Sequence, residues 1–457
     1  METKTVFKKN QIPTNITQEK LSRIFVWGVW LLMLIIAFTC VIKYGKNIPL
    51  AEDWNLVAPL TGNDPDLLGG LWVQNNEHRV PLPRLIFLIL LKLTSDFRVG
   101  MFFNVIILGT MAFLMTLTAR YLRGGKTDFA DAVFPIALLH IGNWENLVWS
   151  WQLSFVLPVA LILGILLLLI IQPTLSSKWV AVMAGVSLIC LPLCGAIGLV
   201  FIPSLVPWFI YRGVVSIKLS SNINQSKLAS YILISSAITA LTIAILYFIG
   251  YEKPTWNPPS PSIAESLKTT AKYLALGLGP AAKKSWGLSV MLAFGLLIPS
   301  IAIALRAVLS RKDVEKQRVL GISIFSLGVT ALALGIGHGR AGLVPTVGLP
   351  MRYVTLAVVG FLSAFFIWEL YGKPLHKKIF QRGLLILMCI LLPWNTNMGV
   401  QWGNWYLAGM NKFEQDVVSG IPASELAKRH KDFLIHWWDE EKLVQHMKML
   451  QDAKIGI

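Results

Sequence analysis

Two adjacent carboxylates, Glu52 and Asp53, follow the first long apolar segment of the chain, Arg23–Val41. That segment is long enough to cross a hydrocarbon core, which takes about 20 helical residues, so the pair is expected just beyond a membrane surface. A carboxylate at a water-filled mouth of a helical bundle can act as general base on a substrate hydroxyl, and partial burial raises its pKa. The alternative is structural: Asp53 is the N-cap of a short helix over Trp54–Leu60.

A second polar cluster, Asn76-Glu77-His78-Arg79, stands just before Pro81. Polar groups this dense at a membrane interface are expected to pair with one another or with a ligand. His78 could shuttle protons, and Arg79 and Arg84 could hold a phosphate by bidentate donation. The alternative is an interfacial belt whose arginines extend to lipid headgroups.

Tryptophans dominate the third cluster, which is Asn143-Trp144-Glu145-Asn146 followed by Trp149, Trp151 and Gln152. An aromatic belt at a membrane interface accounts for such rings. Glu145 and Gln152 beside exposed rings also describe a carbohydrate platform, because aromatic faces stack on sugar C–H surfaces while polar groups bind hydroxyls. The sequence leaves both interpretations open.

Arginines mark the fourth cluster, which joins Gly337-His338-Gly339-Arg340 to Arg352-Tyr353 across a stretch with glycines and prolines. Two arginines and a histidine in such a loop suit a lipid-linked phosphate. Lys283-Lys284, in another loop, is a weaker candidate for the same role, with Lys284 as the preferred residue. The alternative is again a pair of arginines that reach lipid headgroups.

The composition sets the protein class. Hydrophobic residues make up 55% of the chain and charged residues 14%, with a mean hydropathy of +0.61, whereas soluble domains carry about 25% charged residues. Long apolar runs recur along most of the chain, which predicts an all-α, polytopic transmembrane helical bundle. The net charge of +17 falls mainly in short loops between these runs, as the positive-inside rule predicts. Membrane lipids are therefore expected partners, and nucleic acid is not.

The apolar runs predict about eleven spans. The run Pro81–Leu93 is too short to span and is expected to lie in the interface. With that assignment the basic loops fall on the side of the N-terminus, as the positive-inside rule requires. The predicted spans are 24–43, 99–119, 129–142, 153–172, 178–195, 197–211, 228–250, 286–305, 319–337, 353–370 and 383–397.

Three regions follow from this topology. Residues 1–23 form a cytoplasmic N-terminus, and 24–397 form the bundle, with a first outside loop at 44–98 that carries juxtamembrane helices. Residues 398–457 form a small helical tail outside, with Ser424 as an N-cap. The C-terminus is therefore expected outside.

Absent motifs narrow the function. The chain has no Walker-type Gly-rich loop, no H-E-x-x-H and no G-x-S-x-G, which disfavours ATP-driven work, zinc hydrolysis and serine esterase chemistry. The cysteines give no metal spacing, and we expect neither a metal nor a cofactor. Charged residues within the predicted spans are few, with Asp131 and Glu369 near inner ends, which argues against an ion-coupled transporter but not against a lipid flippase.

Taken in order, these features resemble the GT-C superfamily of integral-membrane glycosyltransferases, which use polyprenyl-phosphate-linked sugars. Glu52-Asp53 stands where that family has an acidic residue or pair in the first outside loop, and Val80-Pro81-Leu82-Pro83 is similar to its proline-led juxtamembrane helix. Asp96-Phe97-Arg98, Arg120–Gly125 and Arg352-Tyr353 also look like patterns around the family's spans. The resemblance rests on layout, and Asn76-Glu77-His78-Arg79 departs from the basic-Pro-Pro of two branches, so no branch is assigned.

The resemblance implies an inverting transfer from a polyprenyl-phosphate-linked sugar to a glycan, glycolipid or protein acceptor on the outer face of a bacterial cytoplasmic membrane. Asp53, with Glu52 as second choice, would deprotonate the acceptor hydroxyl. The donor phosphate would contact Arg352, Arg340, His338 and Lys284, and the sugar and acceptor would contact Glu77, His78, Arg79, Trp144, Glu145, Gln152 and Tyr353. The alternatives are a flippase for lipid-linked sugars or polysaccharide and an O-antigen polymerase or ligase.

Overall fold

The computed structural model describes residues 14–219 and 224–456, with side chains over 18–218 and 227–456. Within these ranges the chain is helical and has no strand, which confirms the all-α class expected from the sequence. The helices are α1 (Thr14–Tyr44), α2 (Val57–Thr61), α3 (Leu67–Trp72), α4 (Pro81–Thr94), α5 (Val99–Leu122), α6 (Val133–Leu139), α7 (Trp144–Val148), α8 (Leu153–Ile171), α9 (Lys178–Cys190), α10 (Ala196–Leu199), α11 (Ile202–Leu219), α12 (Asn224–Tyr247), α13 (Ile263–Ala275), α14 (Trp286–Ser310), α15 (Asp313–Arg340), α16 (Val344–Val347), α17 (Tyr353–Tyr371), α18 (Pro374–Val418), α19 (Ala423–Leu434) and α20 (Glu440–Ala453).

Eight helices in the described part of the chain are long and apolar enough to cross a membrane, namely α1, α5, α8, α12, α14, α15, α17 and α18. The centre of the bundle is α17, because neighbouring helices bury 94% of its most apolar stretch, against 22% for α14. The outer helices leave large apolar side chains exposed, such as Leu31, Ile35 and Ile298. A continuous apolar surface of this kind is that of a membrane protein with transmembrane helices.

The predicted count of eleven spans is not confirmed. The runs 129–142, 178–195 and 197–211 are not among the eight long apolar helices; the second folds as a shorter apolar helix over Lys178–Cys194. The first is broken into a 3₁₀ turn, Phe129–Ala132, the short α6, and a second turn, Ile141–Asn143. Hydropathy alone does not reveal such breaks, because every residue from 130 to 140 is buried whether helical or not.

The segment 129–142, although its helix is interrupted, lies alongside α17 over most of that helix. At one end Asp131 and Glu369 share the guanidinium of Arg123, and at the other end Asn146 donates to Thr355 Oγ1 at 2.8 Å. Non-helical backbone at this depth is tolerated where protein surrounds it, and the residues between these two contacts are almost all buried.

A buried ion network occupies the first of these two ends. The guanidinium of Arg123 donates to both oxygens of Asp131 and to Glu369, each at 2.8 Å. Lys377 and Gln381 donate to Glu369 at 2.8 and 3.0 Å. The two acids that the sequence placed within spans are therefore neutralised, as buried charges require. We call this end of the bundle the basic end, and the opposite end, which carries Glu52, Glu145 and Arg352, the site end.

The first and last long helices run in the same direction. Near the start of α1, Ser22 donates to the carbonyl of Thr127 at 2.7 Å, which places it at the basic end. Just past the end of α1, Lys46 pairs with Glu414 near the end of α18, at 2.7 Å. Both helices therefore run from the basic end to the site end, and the tail follows at the site end.

The proline-led run forms α4, with Pro81 as the first helical residue, where its missing N–H costs nothing. Its 14 residues span about 21 Å at 1.5 Å per residue, less than a hydrocarbon core of about 30 Å. Arg84 Nη1 donates to the carbonyls of Gly70, Leu71 and Val73. The side chain thus holds the loop before α4, and its expected phosphate role stays a prediction.

The last membrane helix is longer than predicted. α18 continues to Val418, so its 45 residues extend about 67 Å, and the tail begins after Val418 rather than at residue 398. The expected N-cap at Ser424 is also wrong, because α19 begins at Ala423 with Pro422 as its N-cap residue. The tail folds back, and α20 packs against α2 of the first loop.

Candidate active site

The acidic pair lies on a 3₁₀ turn, Ala51–Leu56, at the site end. Asp53 Oδ2 accepts the backbone N–H of Leu50 at 3.2 Å, and Asp53 is only 1% exposed. The alternative of a cap over Trp54–Leu60 is wrong in position, since Leu50 is the N-cap residue, but Asp53 does satisfy a free N–H of the turn. Glu52 is partly exposed as a residue, but its Oε2 is buried and has no hydrogen-bond partner in the described ranges.

The residue before the pair is held in an unusual conformation. Ala51 takes a φ of +50°, in the left-handed region that residues with a side chain rarely adopt. Such backbone strain costs about 1–3 kcal/mol and is concentrated at functional sites. Here it precedes Glu52 directly.

Burial raises the pKa of both carboxyl groups. For Glu52 the loss of hydration raises the pKa, the charge of Arg352 opposes this, and the charge of Glu145 adds to it. For Asp53 burial raises the pKa well above its usual range, against the hydrogen bond from Leu50. A raised pKa makes a carboxylate a stronger base near neutral pH. Only Glu52 combines that property with access to solvent.

Glu145 and Arg352 form an ion pair close to Glu52. The Glu145 carboxylate accepts the backbone N–H of Met351 at 3.2 Å and that of Arg352 at 3.0 Å, and Arg352 Nη1 lies 3.3 Å away. Because Arg352 is the N-cap residue of α17, Glu145 lies at a helix N-terminus, where the dipole and the free N–H groups favour an anion. Asn146 donates to the carbonyl of Arg352 at 3.0 Å and fixes the same corner.

A second ion pair joins the first loop to α15. Arg340 donates to Glu77 and, through Nε, to the hydroxyl of Tyr353 at 2.7 Å. His78 Nε2 lies 3.7 Å from Glu77 Oε1. Burial, with a smaller contribution from the charge of Arg352, lowers the pKa of His78 to about 4, so this imidazole is neutral near pH 7. Paired backbone bonds between Asn75 and His78, 2.7 and 2.9 Å long, fix the turn that presents these groups.

An apolar cavity of about 350 Å³ opens beside this second pair. We call it the apolar groove. Its walls are Phe155, Ala196, Ile197, Val200, Leu332, Ile336 and Leu356, and its polar end is Glu77, His78, Tyr251, Lys253, Arg340 and Tyr353. Phe155 also lies under the guanidinium of Arg352, 5.7 Å from ring centre to Cζ. The groove thus leads from an apolar interior to the charged groups of the site end.

Three predicted site residues lie outside this constellation. His338 is exposed and contacts Ser266 Oγ at 3.3 Å, and Lys284 is exposed. Arg79 Nη2 donates to the carbonyl of Gly250 at 2.7 Å, and its backbone N–H donates to Tyr247. Arg79 therefore ties the first loop to the end of α12.

The carbohydrate platform expected at the third cluster is also wrong in one respect, because its rings are not exposed. Trp144 and Trp151 are 5% and 7% exposed, and Trp144 stacks on Trp402 of α18. Gln152 is 1% exposed, and its Oε1 has no partner within the described residues. These side chains pack around the site, and of this cluster Glu145 is the one that reaches the charged groups.

Of the pair Lys283-Lys284, named from the sequence, Lys283 turns inward, and its Nζ donates to the carbonyl of Leu349 at 2.5 Å. Burial lowers the pKa of Lys283, and the nearby charge of Glu145 opposes this shift. Lys253 lines the apolar groove but was not named from the sequence, because no motif surrounds it.

Comparison with models of known protein families and with curated proteins finds no match to this chain. The chemistry must therefore be argued from the geometry. The site end brings together a partly exposed carboxylate with a raised pKa, two arginine–carboxylate pairs, a neutral histidine and an apolar groove. These are the parts needed to bind a lipid-linked anion and to remove a proton beside it.

Proposed function

We propose that this protein is a membrane glycosyltransferase of the GT-C type, which transfers a sugar from a polyprenyl phosphate to the hydroxyl of a glycan, glycolipid or protein acceptor. One observation carries the proposal. Glu52, partly exposed and with a buried, unpartnered Oε2, lies close to Arg352, whose guanidinium stacks on Phe155 in the wall of the apolar groove. This link between the acid and the groove supports a proton acceptor near a lipid-phosphate site.

The apolar groove supports the donor's class. Its aliphatic and aromatic walls suit an isoprenoid chain, and a volume of about 350 Å³ falls in the range of small-ligand pockets. Arg340 and Lys253 at its polar end supply the cations that a phosphate needs. Glu77 and Tyr353 orient Arg340, so its guanidinium is held in place before the donor binds.

The proposed reaction is a single displacement. Glu52 takes the proton of the acceptor hydroxyl as that oxygen bonds to the anomeric carbon of the sugar. The bond from that carbon to the phosphate oxygen breaks, and polyprenyl phosphate leaves with the electron pair. Arg340 and Lys253 neutralise the negative charge that grows on the phosphate, the electrostatic stabilisation that usually dominates such catalysis. The sugar inverts at its anomeric carbon.

Glu52 is preferred to Asp53 as the base, which reverses the order drawn from the sequence. Asp53 is 1% exposed, and one of its oxygens accepts the N–H of Leu50. An acceptor hydroxyl must come within about 3 Å of the base, directly or through one water. Glu52 is the member of the pair that is partly exposed, and it is therefore the more accessible to an acceptor. Arg352 and Glu145 act on its charge state rather than on the substrate.

The proposal also includes the orientation of the bundle in the membrane. Arg123, Arg382 and Lys377 cluster at the basic end, where α1 and α18 begin. By the positive-inside rule this end is cytoplasmic. The site end and the tail then face outward from the cytoplasmic membrane of a bacterium, and the N-terminus is inside. The enzyme would meet lipid-linked donors and surface acceptors on the outer face.

The test is sugar transfer in membranes that contain wild type, Glu52→Gln or Asp53→Asn, with radiolabelled polyprenyl-phosphate sugars as donors. The control is Glu441→Gln, the same chemical change at an exposed position of α20. We expect turnover by wild type and the control, and near-complete loss in Glu52→Gln. Lipid-linked sugar that crosses the bilayer without transfer, equally in all variants, would support the flippase alternative and contradict the enzyme.

A further inference from the structure

A second cavity lies at the site end, between the first loop and the tail. Its volume is about 520 Å³, and we call it the polar groove. Its lining from the first loop mixes polar and apolar residues in about equal number, and the tail closes it with Trp437, Trp438 and Lys442. The sequence assigned no role to these three tail residues. The polar side chains that line it are Asn55, Asn63, Asp64, Gln74, Asn75, Asn76 and Arg84.

The chemistry of this lining is that of a carbohydrate site. Trp437 is 42% exposed at the groove, whereas Trp438 is buried under Lys442, whose Nζ lies 4.1 Å from the ring centre. An exposed indole beside amides offers a flat apolar face for sugar C–H groups and donors and acceptors for hydroxyls. Asn55 Nδ2 donates to Asn75 Oδ1 at 3.4 Å, so the two amides are held side by side.

The two grooves flank one turn of the first loop. Asn75 and Asn76 line the polar groove, and Glu77 and His78 line the apolar groove. The acidic turn Ala51–Leu56 borders the polar groove through Asn55 and Leu56. Glu52 lies three residues before Asn55, and a 3₁₀ helix has three residues per turn, so the two lie on the same face of the turn. A ligand in the polar groove would therefore lie next to the turn that carries the base.

From this placement we propose that the polar groove binds the acceptor, and that the acceptor is a glycan stacked on Trp437. The inference rests on the proposed function, and it narrows the acceptor class to a carbohydrate chain. It also gives the tail a role. By folding α20 against α2, the tail brings Trp437 over the first loop and completes a site that the loop alone lacks.

The experiment uses the full-length protein in nanodiscs and an array of immobilised bacterial surface oligosaccharides. We expect wild type to be retained by a subset of these glycans and Trp437→Ala to bind them about tenfold more weakly, equivalent to about 1.4 kcal/mol. Trp437→Phe keeps an aromatic face and should bind within about threefold of wild type. Trp256→Ala is the matched control, because Trp256 is 53% exposed and does not line either groove.

Two results would overturn the inference: no glycan on the array retains wild type, or Trp437→Ala binds as wild type does. Sugar transfer, measured in the same preparations, separates this failure from that of the proposed function. Transfer that does not depend on Trp437 removes the acceptor site and leaves the enzyme. Glycan binding that depends on Trp437, with no transfer from any donor, keeps the binding site and removes the transferase.

Discussion

Loss of the Arg123 guanidinium should destabilise the whole bundle. In the structure this one side chain neutralises Asp131 and Glu369, whose side chains are 0% and 3% exposed, while Arg123 itself is 14% exposed. Glu369 keeps Lys377 and Gln381 as partners, but Asp131 keeps only the backbone N–H of Asp128 at 3.1 Å. The substitution Arg123→Met therefore leaves a buried carboxylate without a cation.

Removing one partner of a buried ion pair typically costs about 3–5 kcal/mol, mostly from the charge left behind. Domains of 150–250 residues shift in melting temperature by about 2–4 °C per kcal/mol, and a chain of about twice that length shifts by about 1–2 °C per kcal/mol. We therefore expect Arg123→Met to lower the melting temperature of the purified protein by about 3–10 °C. Asp131→Asn in the same background removes the stranded charge and should restore part of that loss.

Scanning fluorimetry in detergent measures these shifts. The control is Arg429→Met, which breaks an exposed ion pair with Glu425 and should leave the melting temperature unchanged. If Arg123→Met melts with the wild type, or if Asp131→Asn in that background lowers stability further, the network does not hold the bundle together. A role in ion movement would then need to be considered for Asp131 and Glu369.

Three further predictions concern the site. Burial raises the pKa of Asp53, so the stability that its protonated form contributes is full below the unfolded pKa and is lost as pH rises through the folded pKa. Asp53→Asn should flatten this loss in melting curves taken from pH 5 to 9. An unchanged slope of melting temperature against pH would contradict the prediction. Folding lowers the pKa of His78 from 6.5 to about 4, so the folded state loses stability as pH drops through that interval. The melting temperature of His78→Gln should therefore fall less than that of wild type over the same pH interval. Glu145→Gln removes a negative charge that raises the pKa of Glu52, so the acidic limb of the pH profile of kcat/KM for sugar transfer should move to lower pH. If that limb stays in place or moves to higher pH, Glu145 does not act on the base.

The fold was predictable where hydropathy and helix length agree. Runs such as 99–119 and 353–370 became α5 and α17, because a long apolar run that must satisfy its own backbone has only the helix available. For 129–142, the same hydropathy argument predicted a continuous helix, and the segment is instead interrupted by 3₁₀ turns. Its backbone lies within the protein rather than against lipid, so neighbouring groups can satisfy it and the helix can break. Composition carries no sign of that difference.

The sequence indicated which loops carry charged side chains better than it indicated their contacts. Glu77, Glu145, Arg340 and Arg352 were named from three such loops as sugar- or phosphate-binding residues, and the structure pairs them with one another, while their roles stay predictions. Lys284 and its neighbour Lys283 could not be ranked, since which of two adjacent side chains turns inward depends on the 3₁₀ turn that carries them. The polar groove was invisible because Trp437 reaches the first loop only through the fold of the tail.

The most direct test of the central claim measures donor binding and sugar transfer in one preparation of Glu52→Gln. The variant keeps the size of the side chain and removes the base, while the apolar groove and Arg340 remain. We predict that radiolabelled polyprenyl-phosphate sugar still binds, as it does to wild type, and that transfer to the acceptor is lost. Transfer retained in Glu52→Gln, or lost in Asp53→Asn alone, would contradict the assignment of Glu52 as the base.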